Sequence, residues 1–407
     1  MIFDNYYRKF LGFISQESPP LFKKTIMAFL FACLIVICIV SYDKSAVYKC
    51  YEIMVGDWLI NYSAGFVRRG LMGSIILEIS NAIDIRPALI VAILKILSYC
   101  AIYTSAIYII LKAKIFKIAH AFLFTYQSSF MFPLLDFRGS GRKEILLLAL
   151  FSIFSIKNEK KLKNYSLALL SILFLLLTFF HDALFWFYPL TLLSLSKIFP
   201  NKNLSFKNCL LILTPSAIST FIIIKYGTKM DLETLDLMTK AIDPDKFKLW
   251  SNSITYVTWS FNDQLHNLLK HLKPSSIINL GFTLFLVYLP IHIITQIDNH
   301  LLFKDKKFLC WVIVCLLFQA PLIMAIDWGR WIYVDSTILS LTYFLTFDKR
   351  LELKNSFSAK INLMQIIMAL IFLLLFIFTW RVHHCCATGF ELTIIDHFKY
   401  FFKKHSL

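Results

Sequence analysis

The stretch TIMAFLFACLIVICIVSY, residues 25–42, contains no charged side chain and has the length and hydropathy of a membrane span. Such a run crosses the apolar core of a bilayer as an α-helix, because a helix satisfies its backbone hydrogen bonds internally. It follows Lys23 and Lys24 and is longer than the apolar part of a cleavable leader. We therefore expect it to act as a signal anchor.

The composition of the rest of the chain agrees with this first helix. Hydrophobic residues make up 58% of the 407 positions and charged residues only 16%, and the mean hydropathy is +0.67. These values exclude an ordinary soluble domain. Apolar runs recur as far as residue 380 without a long polar linker, so the sequence predicts one all-α, polytopic membrane domain over residues 1–407.

Apolar segments predict about eleven transmembrane helices, of which the fourth is the shortest. Only the pair His181–Asp182 separates the fifth from the sixth, and no internal repeat is evident. The predicted helices lie near residues 25–42, 88–111, 118–135, 144–156, 165–180, 183–199, 208–224, 276–297, 308–326, 331–347 and 361–380.

The distribution of lysine predicts the orientation, because short cytoplasmic loops retain positive charge. The N-terminus and five lysine-bearing loops are then cytoplasmic: 112–117, 157–163, 197–207, 304–307 and 348–354. The tail after Trp380 is predicted to be external, yet it carries three lysines, which leaves open a re-entrant last helix or a count wrong by one. The other predicted external segments are 43–87, 136–143, 181–182, the long loop 225–275, and 327–330.

Arginine follows a different pattern from lysine. Seven of the nine arginines fall on the predicted external face, although lysine would orient helices equally well. A guanidinium group binds two phosphate oxygens at once, so this selective use predicts recognition of an anion such as a diphosphate. The predicted diphosphate-binding residues are Arg68, Arg69, Arg138, Arg142 and Arg330.

Carboxylates and one histidine accompany these arginines in four motifs. The motifs are GDWLINYSAGFVRRG at 56–70, DFRGSGRKE at 136–144, HD at 181–182 and DWGRW at 327–331. A carboxylate or histidine there could remove a proton from an attacking hydroxyl group. Snorkelling arginines, local ion pairs at helix ends and interfacial pairs are the alternative interpretations. The predicted catalytic residues are Asp327, which we prefer as the base, and His181, Asp182, Asp57 and Asp136.

No motif for a nucleotide, a dinucleotide or a catalytic metal is present. The run RVHHCC at 381–386 lacks the loop spacing of a zinc site. We therefore expect no cofactor, no metal and no nucleic-acid partner, and a substrate that carries its own activation. Sugars linked to a lipid diphosphate are such substrates, because the diphosphate is the leaving group.

The chain resembles the Wzy-type O-antigen polymerases of enteric bacteria, especially the Salmonella form. The resemblance covers the whole chain in length, helix number, N-in orientation, composition rich in Phe, Ile and Lys, and a long external loop near 225–275. The paired arginine-x10-glycine loops of some members are absent, so no site residue is transferred from the family.

This resemblance implies an activity and a partner. The activity is transfer of a growing O-antigen chain from undecaprenyl diphosphate to the next lipid-linked repeat unit, at the periplasmic face of the inner membrane, during lipopolysaccharide biosynthesis. The family implies no cofactor and a chain-length regulator of the Wzz type as partner. Two alternatives remain: another polyprenyl-lipid-dependent glycosyltransferase, and a lipid-linked oligosaccharide flippase, which should carry charges along a central cavity.

Overall fold

The first long helix, α1 (Pro20–Tyr42), begins at a proline, where the missing N–H group costs no intrahelical hydrogen bond. It belongs to a computed structural model that describes residues 12–47, 53–156, 164–199, 204–227, 231–242, 253–259, 261–298, 300–347, 363–382 and 390–391. This part of the chain is helical apart from turns and two paired two-residue strands, β1 (Arg381–Val382) and β2 (Phe390–Glu391). The all-α prediction is therefore confirmed.

The helices that follow α1 differ widely in length. In chain order they are α2 (Ile53–Gly56), α3 (Gly70–Ile83), α4 (Pro87–Lys112), α5 (Ile118–Thr125), α6 (Phe132–Leu135), α7 (Phe137–Ser140), α8 (Ile145–Ser155), α9 (Asn164–Phe180), α10 (Tyr188–Ile198), α11 (Phe206–Tyr226), α12 (Leu232–Lys240), α13 (Phe261–His271), α14 (Pro274–Asp298), α15 (Leu301–Lys304), α16 (Lys306–Phe318), α17 (Trp328–Phe347) and α18 (Leu363–Thr379).

Four helices in the described ranges are long and apolar enough to cross a membrane. They are α1 with the π-helical turn that follows it, α4, α11 and α14. Large apolar side chains on these helices point away from the protein, as Ile39 (61% exposed), Phe221 (67%) and Ile278 (70%) do. Outward-facing side chains of this kind are typical of a surface in contact with lipid, and the chain is a membrane protein.

Three predicted helices are interrupted or start differently in the structure. The predicted helix 118–135 is broken into α5 and α6 by an irregular segment at 126–131, and the predicted helix 183–199 starts as a 3₁₀ turn, Asp182–Phe187. The predicted helix 308–326 ends at Phe318 and is followed by a second 3₁₀ turn, Ala320–Ala325. Hydropathy averaged over a span does not detect these breaks, because apolar neighbours outweigh the few polar residues at them, such as Gln127 and Gln319.

The break between α5 and α6 is buried inside the protein. Irregular backbone is tolerated at membrane depth only where protein groups satisfy its hydrogen bonds. The Tyr103 hydroxyl of α4 donates to the carbonyl of Phe130, and the Ser336 hydroxyl of α17 donates to the carbonyl of Ser128. Side chains of two neighbouring helices thus replace the hydrogen bonds that a continuous helix would have made.

Helix α17 lies at the centre of the structure, with almost every residue buried. It packs against α8, α10 and α14, while α1 packs along α4 and α4 packs against α8. The N-terminal end of α17 carries the motif DWGRW. This arrangement surrounds the first turn of α17 with the segments that join the other helices.

A buried polar group, here called the polar clamp, lies near the other end of α17 and consists of Lys117, His120, Asp298 and Tyr343. The Asp298 carboxylate accepts from Lys117 Nζ at one oxygen, and from His120 Nε2 and the Tyr343 hydroxyl at the other, each at 2.8 Å. The Nδ1 atom of His120 accepts from the Lys117 backbone N–H at 3.1 Å. The clamp joins α5, α14 and α17, and its buried charge is fully hydrogen-bonded.

Candidate functional site

The four motif-bearing segments meet around the N-terminal end of α17. The first segment contains a turn of 3₁₀ helix at Asp57–Leu59, and the second contains α7 and ends just before α8. The third segment follows α9, and the fourth begins one residue before α17 and forms its first turn. Arg330 and Tyr343 are thirteen residues apart on α17, so this end lies about 20 Å from the polar clamp. The residues that meet here, called the charge cluster below, are Asp57, Arg69, Arg142, Lys143, Glu144, His181, Asp182, Asp327 and Arg330.

Arg69 joins the first segment to the third. Its Nε atom donates to Asp182 Oδ1 at 2.6 Å, and its Nη1 atom lies 3.8 Å from Asp57 Oδ1. The Arg69 backbone has φ +67°, a left-handed conformation that non-glycine residues seldom adopt, and helix α3 begins at the next residue. This conformation directs the guanidinium group toward the cluster at the start of the helix.

Lys143 fastens the segments together. Its Nζ atom donates to the carbonyl of Arg69 at 3.1 Å and to that of Phe180 at 3.0 Å. The indole N–H of Trp58 adds a further tie, to the Gly141 carbonyl at 2.9 Å. Burial lowers the pKa of Lys143 to about 8, against the opposing effect of nearby carboxylates. Its position explains how three loops distant in sequence are held in one place.

Arg330 bridges two carboxylates. Its Nη2 atom donates to Asp327 Oδ2 at 2.7 Å, and its Nη1 atom lies 3.3 Å from Glu144 Oε1. The guanidinium carbon lies 4.3 Å from the ring centre of Trp331, a favourable cation–π contact. Ile326, directly before Asp327, has φ +58°, which is strained for a β-branched residue. Both backbone and side chain therefore constrain the position of the Asp327 carboxylate.

His181 is neutral and faces Glu144. Its Nδ1 atom accepts from the backbone N–H of Ala183 at 3.2 Å, so the ring proton is on Nε2, which lies 3.4 Å from Glu144 Oε1. Burial is the main reason that the pKa of His181 lies well below its usual range, and the positive charge of Arg69 adds to it. His181 is thus placed to donate toward Glu144 rather than to accept a proton from a substrate.

Exposure divides the charge cluster into a rim and a floor. The side chains of Arg69, Asp182 and Asp327 are 21%, 17% and 20% exposed. The side chains of Glu144 and Asp57 are only 2% and 1% exposed. A ligand that approaches from outside therefore meets two carboxylates and one arginine first, with the remaining charges beneath them.

Two floor carboxylates differ in their ionisation. Burial raises the pKa of Asp57, but the positive charges of Lys143 and Arg142 outweigh it, so the pKa lies far below its usual range. Burial is also the largest influence on Glu144, and there it prevails over Arg330 and raises the pKa. Asp57 is thus a permanent negative charge, whereas Glu144 is the carboxylate of this pair that more readily takes up a proton.

Several buried polar atoms of the floor have no hydrogen-bond partner within the described part of the chain. They include both carboxylate oxygens of Asp57 and Glu144, the Nε atom of Arg142, and the Nε and Nη1 atoms of Arg330. Buried groups of this kind are costly to leave unpaired. The polar clamp is built from the same residue types and is satisfied. The contrast indicates that the clamp is structural and that the charge cluster is arranged for a ligand.

Seven of the ten predicted site residues belong to the cluster, and an eighth, Arg68, lies at its edge. The backbone N–H of Arg68 donates to the Gly227 carbonyl at 2.9 Å, and burial lowers the pKa of its side chain to about 10. The other two lie apart. The Asp136 carboxylate caps α7 by accepting from the Gly139 N–H at 3.0 Å, and Arg138 is exposed.

Lys143 and Glu144 are members of the cluster that the sequence analysis did not single out. They directly follow Arg142 in the motif DFRGSGRKE, and Glu144 precedes α8. A charged pair at the start of an apolar helix is a usable signal for a site residue, but the selective placement of arginine does not point to it. Only the tertiary structure shows that Lys143 points inward to carbonyl groups of two other segments.

The glycines beside the arginine pair have different roles. Gly65 has φ +108°, and a Cβ added there would meet nothing within 4 Å. A Cβ on Gly70 would lie 2.2 Å from Tyr62 Cε1. Gly70 is therefore required by the packing of Tyr62 against the start of α3, whereas Gly65 serves a turn that other residues would strain.

Comparison of the chain with protein-family models, with curated proteins and with solved structures finds no match.

Proposed function

We propose that the chain is a glycosyltransferase of the O-antigen polymerase type, which joins lipid-linked repeat units at the charge cluster. The observation that carries this proposal is the set of guanidinium N–H groups of Arg142 and Arg330 that make no hydrogen bond within the described residues and lie beneath an accessible rim. The cluster has four cations, Arg69, Arg142, Lys143 and Arg330, against four carboxylates, and Arg68 lies beside it. With Arg68 included, the local charge is positive even when Glu144 is ionised, which favours a diphosphate.

The proposed reaction follows from the division into rim and floor. A hydroxyl group of the acceptor sugar attacks the anomeric carbon of the donor, and the bond between that carbon and the diphosphate oxygen breaks. The diphosphate leaves with the bonding electrons, and arginines of the cluster offset its growing negative charge. The hydroxyl proton passes to Asp327, the rim carboxylate nearest Arg330, which later returns it to water.

Two further carboxylates of the cluster orient the Arg69 guanidinium group. Asp182 and Asp57 hold the Arg69 guanidinium from two sides, at 2.6 and 3.8 Å. Such second partners fix the orientation of a group that binds substrate, which lowers the entropy cost of reaching the transition state. No nucleotide or metal enters the proposed reaction, because the lipid diphosphate already activates the sugar.

We further propose that the cluster faces the periplasm in the inner membrane, with the eleven helices and the long loop at 225–275 oriented as the lysines predict. Single cysteines introduced at Gly65, Arg138 and Asp263 should react with an impermeant thiol reagent in cells whose outer membrane is permeabilised. A cysteine at Lys306 should be protected until the inner membrane is opened. Protection at two of the three external positions would contradict the proposed orientation.

The function itself is tested by deleting the coding sequence and separating the lipopolysaccharide on a gel. A polymerase defect should leave core carrying a single repeat unit, and a plasmid copy of the chain should restore the ladder. The Wzz-type partner should then change only the length distribution of that ladder. Bare core after deletion would instead show a flippase, and an unchanged ladder would exclude both activities.

A further inference from the structure

Glu144 is a carboxylate of the charge cluster whose side chain makes no hydrogen bond of its own within the described ranges. Both carboxylate oxygens are buried and have no hydrogen-bond partner among the described residues. Two donors lie just beyond it, Arg330 Nη1 at 3.3 Å and His181 Nε2 at 3.4 Å, both nearest to Oε1. Glu144 therefore attracts Arg330 without forming a hydrogen bond that would have to be broken when another anion arrives.

Charges from every neighbouring segment act on Glu144. Arg330 attracts it from α17, and Asp57 repels it from the first segment. Arg142, on its own segment, also attracts it. The other charged or titratable groups that interact with it are Lys143, Arg69, the neutral ring of His181, and the hydroxyl groups of Tyr99 on α4 and Tyr333 on α17. Burial is the largest of these influences and favours the neutral acid.

We infer that Glu144 takes up a proton when a diphosphate binds to the charge cluster, so that anion binding is linked to protonation and frees Arg330 for the ligand. This inference rests on the proposed function, since it assumes that a diphosphate is the ligand. An ionised Glu144 competes with the ligand for Arg330 and repels it. A protonated Glu144 does neither, and it can donate its proton to a phosphate oxygen.

The affinity for diphosphate should depend on pH through the ionisation of Glu144. Burial holds the pKa of Glu144 above its ordinary value in the free protein, and the added negative charge of a diphosphate raises that pKa further. Affinity should therefore increase as the pH falls through the pKa of the bound state, and level off below the pKa of the free state. Each unit between these two pKa values corresponds to about a tenfold change in affinity.

The test is calorimetric titration of the purified full chain in nanodiscs with inorganic diphosphate. Repeating the titration at one pH in buffers of different ionisation enthalpy gives the number of protons taken up. We expect the wild type to take up a substantial fraction of one proton more than Glu144→Gln does. At pH 8 the wild type should bind diphosphate about tenfold more weakly than Glu144→Gln does, and at pH 5 the two Kd values should be nearly equal.

Protons that diphosphate itself binds or releases contribute equally to both titrations, so they cancel in the difference between the wild type and Glu144→Gln. Glu78→Gln changes an exposed carboxylate of α3 and should behave like the wild type. Diphosphate binding without additional proton uptake by the wild type would overturn the inference and leave the proposed function standing. An absence of diphosphate binding by the wild type would contradict the proposed function as well. Cations lower the pKa of bound diphosphate, so the ligand itself releases protons, and net proton uptake by the wild type remains decisive even if Glu144→Gln fails to fold.

Discussion

Replacing Arg69 by lysine is expected to lower the rate of chain elongation by about a hundredfold and to collapse the O-antigen ladder to short chains. The guanidinium group contacts Asp182 and Asp57 with different nitrogen atoms, at 2.6 and 3.8 Å. A lysine ammonium keeps the charge but is a single point that cannot maintain both contacts and also bind phosphate. The carbonyl that anchors Lys143 belongs to the backbone and is unaffected by the exchange.

The measurement is a lipopolysaccharide gel of the deletion strain complemented at native expression, with the amount of protein determined by immunoblot. Arg138→Lys is the matched control, because Arg138 is exposed and lies outside the cluster, and it should give a full ladder. Normal ladders from both Arg69→Lys and Arg68→Lys would show that the pair provides only interfacial charge.

Replacing Asp327 by asparagine is expected to abolish polymerisation, with a loss in rate of about a hundredfold or more, while the protein still accumulates in the membrane. Asparagine has nearly the same shape but cannot accept a proton at neutral pH. Asp327 is 20% exposed, so the exchange leaves no deeply buried group unpaired. Arg330 retains Glu144 at 3.3 Å as a second partner.

Asp84→Asn provides the control for this second change. Asp84 is an exposed residue at the end of α3 with φ +53°, a conformation that asparagine also tolerates. Its ladder should be unchanged. A full ladder from Asp327→Asn would remove Asp327 from the mechanism and make Asp182, the other carboxylate of the rim, the next to test. Loss of the protein from the membrane would instead identify the Asp327–Arg330 pair as structural.

Some features of the site could be predicted from local sequence. In DWGRW the arginine lies three residues after the aspartate, a spacing that predicts an ion pair across one helical turn. In the structure Arg330 Nη2 lies 2.7 Å from Asp327 Oδ2. The convergence of the four motifs was expected from the alternation of lysine-bearing loops. The contact between Arg69 and Asp182 was not predictable, because 113 residues separate them and no local pattern specifies which distant carboxylate an arginine will meet.

The breaks in the apolar helices could not be predicted from hydropathy, although hydropathy identifies the chain as a membrane protein. The mean hydropathy of residues 118–135 is high enough for one span, so it does not show the irregular segment at Gln127 and Ser128 that Tyr103 and Ser336 stabilise. The sequence by itself determined the apolar helices and the charges that separate them, since both depend on transfer from water to lipid, residue by residue. The tertiary structure decided which charges share the charge cluster and which charges, as in the polar clamp, have all their hydrogen bonds. Both depend on distances between helices, and only the packing of the helices sets those distances.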